Sequence, residues 1–150
     1  MEITEYFSSD DKAHCLSEIS RSDWTAGKFL HELLSTGKYE DFCGEGLKVL
    51  LLTQGGELIS FCTYAMKDEI PDTDLHKWVG FVYTFPKHRG KRCAGRLLEH
   101  AYSLARAEGL PFLYISTDKT GVYEKYGYSY WKTMTAFDGE KCRIYRISVL

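Results

Sequence analysis

The chain has 150 residues, 44% of them hydrophobic and 15% aromatic, which suits one compact domain with a substantial core. A formal net charge of -2 argues against nucleic acid as a partner, because the basic residues form a local cluster in an otherwise slightly acidic chain. Five cysteines without a C-x-x-C pair exclude a disulfide framework and a zinc site; with no N-terminal leader pattern and no run approaching ~18 apolar residues, they indicate a soluble cytoplasmic protein, neither metal-bound nor membrane-bound.

In chain order, EITEYF (2–7) predicts a short strand and 11–20 a helix. In SDWTAGKFLHELLSTG the positions Ala26, Phe29, Leu30, Leu33 and Leu34 follow helical spacing, with Ser22 or Asp23 as cap and Gly37 as stop. LKVLLLT (47–53) and ELISFCTYAM (57–66) flank Gln54-Gly55-Gly56, a β-hairpin signal. The polar loop KDEIPDTD follows. Its acids Asp68, Glu69, Asp72 and Asp74 read as an exposed solubilising turn, with attraction of a cationic substrate as the less favoured alternative.

HKWVGFVYTF (76–85) predicts the next strand. A basic loop leads into a helix whose Ala94, Leu97, Leu98, Ala101, Leu104 and Ala105 recur at helical spacing and which stops at Gly109 before Pro111. FLYIST (112–117) is a strand, TGVYEKYG a short helix ended by Gly127, and YSYWKTMTAF and KCRIYRISVL a final hairpin around Asp138-Gly139. The β-α-β crossover makes 76–85 and 112–117 parallel neighbours if they share a sheet. The pattern predicts an α/β (α+β) fold, a mixed sheet with helices on its faces.

The loop FPKHRGKRCAG carries the clearest chemistry. A strand entering a glycine-bearing basic loop and then a helix N-terminus aims several backbone N–H groups and the helix dipole at one spot, where phosphate can sit. Gly90 and Gly95 let the backbone approach closely, and Lys87, Arg89, Lys91 and Arg92 add charge. A charged turn capping a helix explains the same letters as well. The spacing is neither a P-loop nor G-x-G-x-x-G. Cys93, at the helix start, reads as a packed loop residue, since no His-Asp partnering accompanies it.

Two segments together resemble the GCN5-related N-acetyltransferases (GNAT): Arg89-Gly90-Lys91-Arg92-Cys93-Ala94 at the strand-to-helix loop, and Val122-Tyr123-Glu124-Lys125-Tyr126-Gly127-Tyr128 downstream. By motif the resemblance covers about 76–130, and by element order nearly the whole chain. It implies a mostly antiparallel sheet whose one parallel pair splays apart around acetyl-CoA. Carried over, the backbone of Val82, Tyr83 and Thr84 would bond the pantetheine arm, and the amides of Arg89, Gly90, Lys91, Arg92, Cys93, Ala94 and Gly95 the pyrophosphate. Tyr123 would protonate the departing thiolate. The motif's fourth position, glycine in the family, is here Arg92, whose N–H can still donate if its torsion angles permit.

An alkylammonium substrate must also lose a proton before it attacks. His76 at the start of its strand and Asp118 after the next are the candidate bases, each also readable as a plain surface residue. Trp24, Tyr39, Phe42, Trp78 and Trp131 could line a substrate pocket but read mainly as core. The implied activity is acetyl transfer from acetyl-CoA to a primary amine of a small molecule or peptide, without metal. The alternatives are a non-catalytic acyl-CoA sensor of the same fold and nucleic-acid binding through the basic loop. A homodimer through the C-terminal strands is an open reading with no residue to support it.

Overall fold

A computed structural model describes residues 1–150. Seven strands form one sheet in the order β1-β2-β3-β4-β5-β7-β6. They are β1 (Glu2–Glu5), β2 (Lys48–Gln54), β3 (Glu57–Ala65), β4 (Trp78–Thr84), β5 (Phe112–Thr117), β6 (Ser129–Thr135) and β7 (Lys141–Ser148). Every neighbouring pair is antiparallel except β4 and β5. The helices are α1 (Lys12–Ser20), α2 (Thr25–Thr36), the single turn α3 (Glu40–Cys43) and α4 (Cys93–Ala107).

β2 and β3 are buried along nearly their whole length, because helices cover both faces of the sheet at its centre. Leu50 and Leu52 of β2 join Val79, Leu97, Ala101 and Ile115 under α4. Val49 and Leu51 point the other way and meet Ile19, Leu30, Leu33 and Leu34 of α1 and α2. A third cluster of Ile70, Trp78, Tyr114 and Ile144 lies where the segment after β3 crosses the sheet toward β7. Edge strand β6 is largely exposed and polar, which discourages pairing with another chain.

Several predicted boundaries move. The first strand ends at Glu5, whose carboxylate accepts from Ser8 N and Val49 N and turns the chain into a 3-10 helix at Tyr6–Ser8. α2 starts at Thr25 with Trp24 in the cap position and no side-chain cap; Ser22 is instead buried against Gly27. Gly37 does end α2, in a left-handed conformation. The strand predicted from 76 begins at Trp78, which leaves His76 in the preceding loop. The short helix expected in TGVYEKYG is a 3-10 helix at Glu124–Tyr126, closed by Gly127 at φ 94. α3 has no expectation behind it, since four residues are too few to show a helical period.

Two irregularities of β4 shape the site. Only Trp78 and Val79 register with β5, opposite Tyr114 and Ile115, so the parallel pair parts beyond Val79 and leaves a cleft lined by Gly80–Thr84. On its other side β4 bulges, the register with β3 passing from Thr63↔Gly80 to Phe61↔Tyr83. Phe81 takes φ 50 in the bulge, a conformation that costs a non-glycine residue about 1–3 kcal/mol and recurs at functional sites.

Candidate functional site

On the α4 side of the cleft, the loop after β4 is held in place before any ligand arrives. Arg89 donates Nε to Thr84 O at 2.9 Å, with its guanidinium 5.4 Å from the Tyr83 ring centroid. Lys87 and His88 both reach Glu57, each at 3.2 Å. Three of the basic side chains therefore brace the loop. Lys91 and Arg92 make no ion pair and line, with Arg96 and Lys125, a groove of about 790 Å³ between α4 and the 124–126 turn.

Of the seven amides carried over from the resemblance, two have protein acceptors: Arg89 N donates to Pro86 O and Gly95 N to Arg92 O. The amides of Gly90, Lys91, Arg92, Cys93 and Ala94 have none, and they run consecutively into the N-terminus of α4. Arg92 sits at φ 57, ψ 32, in the left-handed region. That torsion explains why glycine suits the position, and with arginine there the amide is retained and free of a protein acceptor. Gly95 serves a different purpose: a Cβ there would lie 2.8 Å from Tyr126 Cε1, so the missing side chain lets Tyr126 pack on the helix. Cys93 is buried, with Sγ 3.6 Å from His88 O.

Tyr123 precedes the 124–126 turn and is half-buried; like Val82 it packs against the cluster under α4, and it stands edge-on to Tyr128 with ring centroids 6.3 Å apart. Burial, then the neighbouring Cys62, Asp68 and Tyr126, hold its phenol well above the ordinary tyrosine range. It therefore stays protonated at neutral pH, as a proton donor must. Tyr128 is buried with its hydroxyl unpartnered.

The opposite face of the cleft is acidic and aromatic. The segment after β3 folds back over the sheet, and the Asp68 carboxyl fills the space that a Cβ on Gly80 of β4 would occupy. Asp68 is 8% exposed, and Oδ1 has no hydrogen-bond partner. Burial pushes its carboxyl up to about 7, against a hydrogen bond from the Glu69 backbone that lowers it and with a lesser push from the Glu69 charge. Glu69 O accepts from Phe137 N at 2.8 Å, and Glu69 Oε1 accepts from Cys142 Sγ at 3.4 Å, which draws the β6–β7 turn against the same segment. Phe42 stands 5.8 Å from Phe81 and 5.4 Å from Phe137, forming an aromatic wall beside these acids.

The two sequence-derived base candidates fare differently. His76 is exposed, with Nδ1 2.8 Å from Asp74 O in the loop before β4. Asp118 is exposed at the end of β5 but close enough to raise the Glu69 carboxyl electrostatically. In the sequence Asp68 reads as part of an exposed solubilising turn, whereas the structure buries it. Its signal lies elsewhere, in Gly80: a glycine inside an aromatic strand marks a bulge or a close approach, and here it marks both.

Similarity to known proteins agrees with this geometry. Residues 32–131 match the family model described as an acetyltransferase (GNAT) domain, and the chain belongs to that family. Its fold is similar to that of a GNAT-family protein from Desulfovibrio desulfuricans (16% identity, 99% of each chain, TM-score 0.72). It is also similar to an aminoglycoside 6'-N-acetyltransferase from Enterococcus faecium (13%, 100% of this chain and 98% of that one, 0.68). A GNAT family N-acetyltransferase from Escherichia coli, solved with CoA, matches at 18% identity over 99% of this chain and 81% of that one, TM-score 0.69. No curated protein matches the chain. No helix is long and apolar enough to cross a membrane.

Proposed function

We propose that the protein is an N-acetyltransferase that moves an acetyl group from acetyl-CoA to a primary amine by direct attack. The observation that carries this reading is the run of acceptor-free amides from Gly90 to Ala94, set at the end of the parted strand pair with Tyr123 beside it. Those amides, with Lys91, Arg92, Arg96 and Lys125, suit a pyrophosphate and a further phosphate. The edge of β4 at Val82, Tyr83 and Thr84, unpaired toward β5, suits the amide-bearing pantetheine arm. The residues present fit the cofactor.

Acetyl-CoA supplies the thioester: a C–N bond to the amine replaces the C–S bond, and the nitrogen sheds two protons, one to a base before attack and one as the C–S bond breaks, while one proton joins the thiolate. Tyr123 gives the thiolate its proton from Oη and takes back the proton that the new amide nitrogen sheds, so no phenolate is left in a buried place. On the opposite face Asp68 takes the ammonium proton. A carboxyl at about 7 is half ionised at neutral pH, close to the best compromise between availability and basicity. His76 and Asp118, being exposed, are left as weaker candidates that act only through water.

The test is thiol release from acetyl-CoA across a panel of polyamines, aminoglycosides, amino acids and peptide N-termini. Release with at least one class, abolished in Tyr123→Phe, is expected. Stabilisation by CoA with no thiol release from any amine would select a non-catalytic acyl-CoA sensor instead.

A further inference from the structure

The acceptor face holds more negative charge than deprotonating an amine requires. Asp68, Glu69, Asp118 and Asp138 come from three separate places, the segment after β3, the end of β5 and the β6–β7 turn. None of the four lies within an ion pair. The nearby lysines do not neutralise them: Lys67 Nζ, next to Asp68, donates to Asp41 O at 3.1 Å, Lys141 Nζ, after the β6–β7 turn, donates to Thr135 Oγ1 at 3.0 Å, and Lys119, next to Asp118, is in no ion pair. The Glu69 carboxyl is raised by burial and then by Asp138 and Asp118, so like charges face one another there. Asp68 adds a carboxylate oxygen buried with no partner at all.

A buried carboxylate with an unpartnered oxygen, as at Asp68, is costly once ionised unless a cation compensates it, and the half-buried Glu69 with the exposed Asp118 and Asp138 extends the negative charge from there to the surface. Phe137, 59% exposed at the rim, offers an aromatic face of the kind that cations favour. Resting on the acetyltransferase reading, we propose that the acceptor is a polyamine-class cation. Its reacting nitrogen meets Asp68, and at least one further ammonium lies among Glu69, Asp118 and Asp138, against Phe137.

The full chain with acetyl-CoA is assayed for thiol release with n-butylamine and with spermidine, which share a primary amine but differ in charge. The expected kcat/KM ratio favours spermidine by roughly tenfold or more, as one charged contact would give, and shrinks with added salt. Asp138→Asn and Glu69→Gln should each bring that ratio toward one, mainly through KM. Asp138 is exposed, and asparagine can still accept the hydrogen bond from Glu140 N, so that variant keeps the turn. A ratio near one, or a ratio indifferent to both variants, overturns the proposal while leaving the acetyltransferase reading intact. If no amine releases thiol, thermal stabilisation of the CoA-loaded protein decides: spermidine must stabilise it more than n-butylamine, and Asp138→Asn must erase the difference.

Discussion

The two faces of the parted β4–β5 pair hold opposite chemistry on opposite kinds of scaffold. Toward α4, the site consists of backbone amides, lysine and arginine side chains and one neutral phenol. Toward α1 and α2, it consists of carboxylates and phenylalanine rings. The first comes from two short local segments, Gly90–Arg96 running into α4 and Tyr123–Lys125. The second is gathered from α3, the segment after β3, β4 and the β6–β7 turn. The proposed reaction accounts for the difference, with a donor that carries phosphates and an acceptor that carries ammonium: each face is complementary to a different charge, and the cleft lies between them.

The comparison breaks most sharply at its two proton-handling groups. On the α4 side, Tyr123→Phe removes only a hydroxyl, so stabilisation by CoA should survive while thiol release falls by roughly 10²–10⁴-fold. Steady-state assay paired with thermal shift separates the two. Wild-type turnover in the variant would move the proton donor elsewhere, with Tyr128, the neighbouring buried phenol, next to examine.

On the opposite face, Asp68→Asn has a rate effect and a stability effect that depend on pH. The kcat/KM profile of the wild type should rise through about 7 as Asp68 ionises, and the variant should lose that limb with a rate loss on the order of 10²-fold. The stability sign is the reverse of a salt-bridged aspartate. With the folded-state value raised from 3.8 to about 7, the folded chain holds a proton that the unfolded chain has released. Wild-type stability is therefore full below about pH 4, falls as pH rises and levels off above 7, by an amount on the order of a few kcal/mol. Asparagine carries no such dependence. Urea unfolding of both proteins at pH 5 and pH 8 checks this, and parallel curves would mean that Asp68 is solvated.

The same contrast explains what could be read in the sequence. Residues close together along the chain left a local signature: a glycine-bearing basic loop opening a helix, and a tyrosine segment about thirty residues later. Strand and helix periodicity then supplied most of the sheet, because β2, β3 and α4 each bury a recognisable pattern. The acceptor face left none, since the proximity of Asp68 to Gly80 and of Glu69 to Phe137 and Cys142 exists only after the segment past β3 crosses the sheet. An acidic run in a loop has the composition of an exposed turn whether or not one of its carboxylates is buried. The sequence places His76 at the start of a strand, and the two-residue shift of that start leaves it exposed in the preceding loop.

The smallest expected effect lies at Arg92 and sharpens the donor side. A left-handed backbone costs a side-chain-bearing residue roughly 1–2 kcal/mol, which glycine avoids. Against this, the Arg92 guanidinium stacks 4.9 Å from the Tyr126 ring centroid, and glycine enlarges the freedom of the unfolded chain. These contributions oppose one another, so Arg92→Gly should change stability by no more than about 1 kcal/mol. The amide remains and keeps its direction, while the groove loses one of its four cations. CoA affinity should fall only a few-fold, with a shallower dependence on salt, as isothermal titration at two ionic strengths would show. A loss of a hundredfold or more would mean that the side chain of Arg92, rather than the run of amides, grips the phosphates.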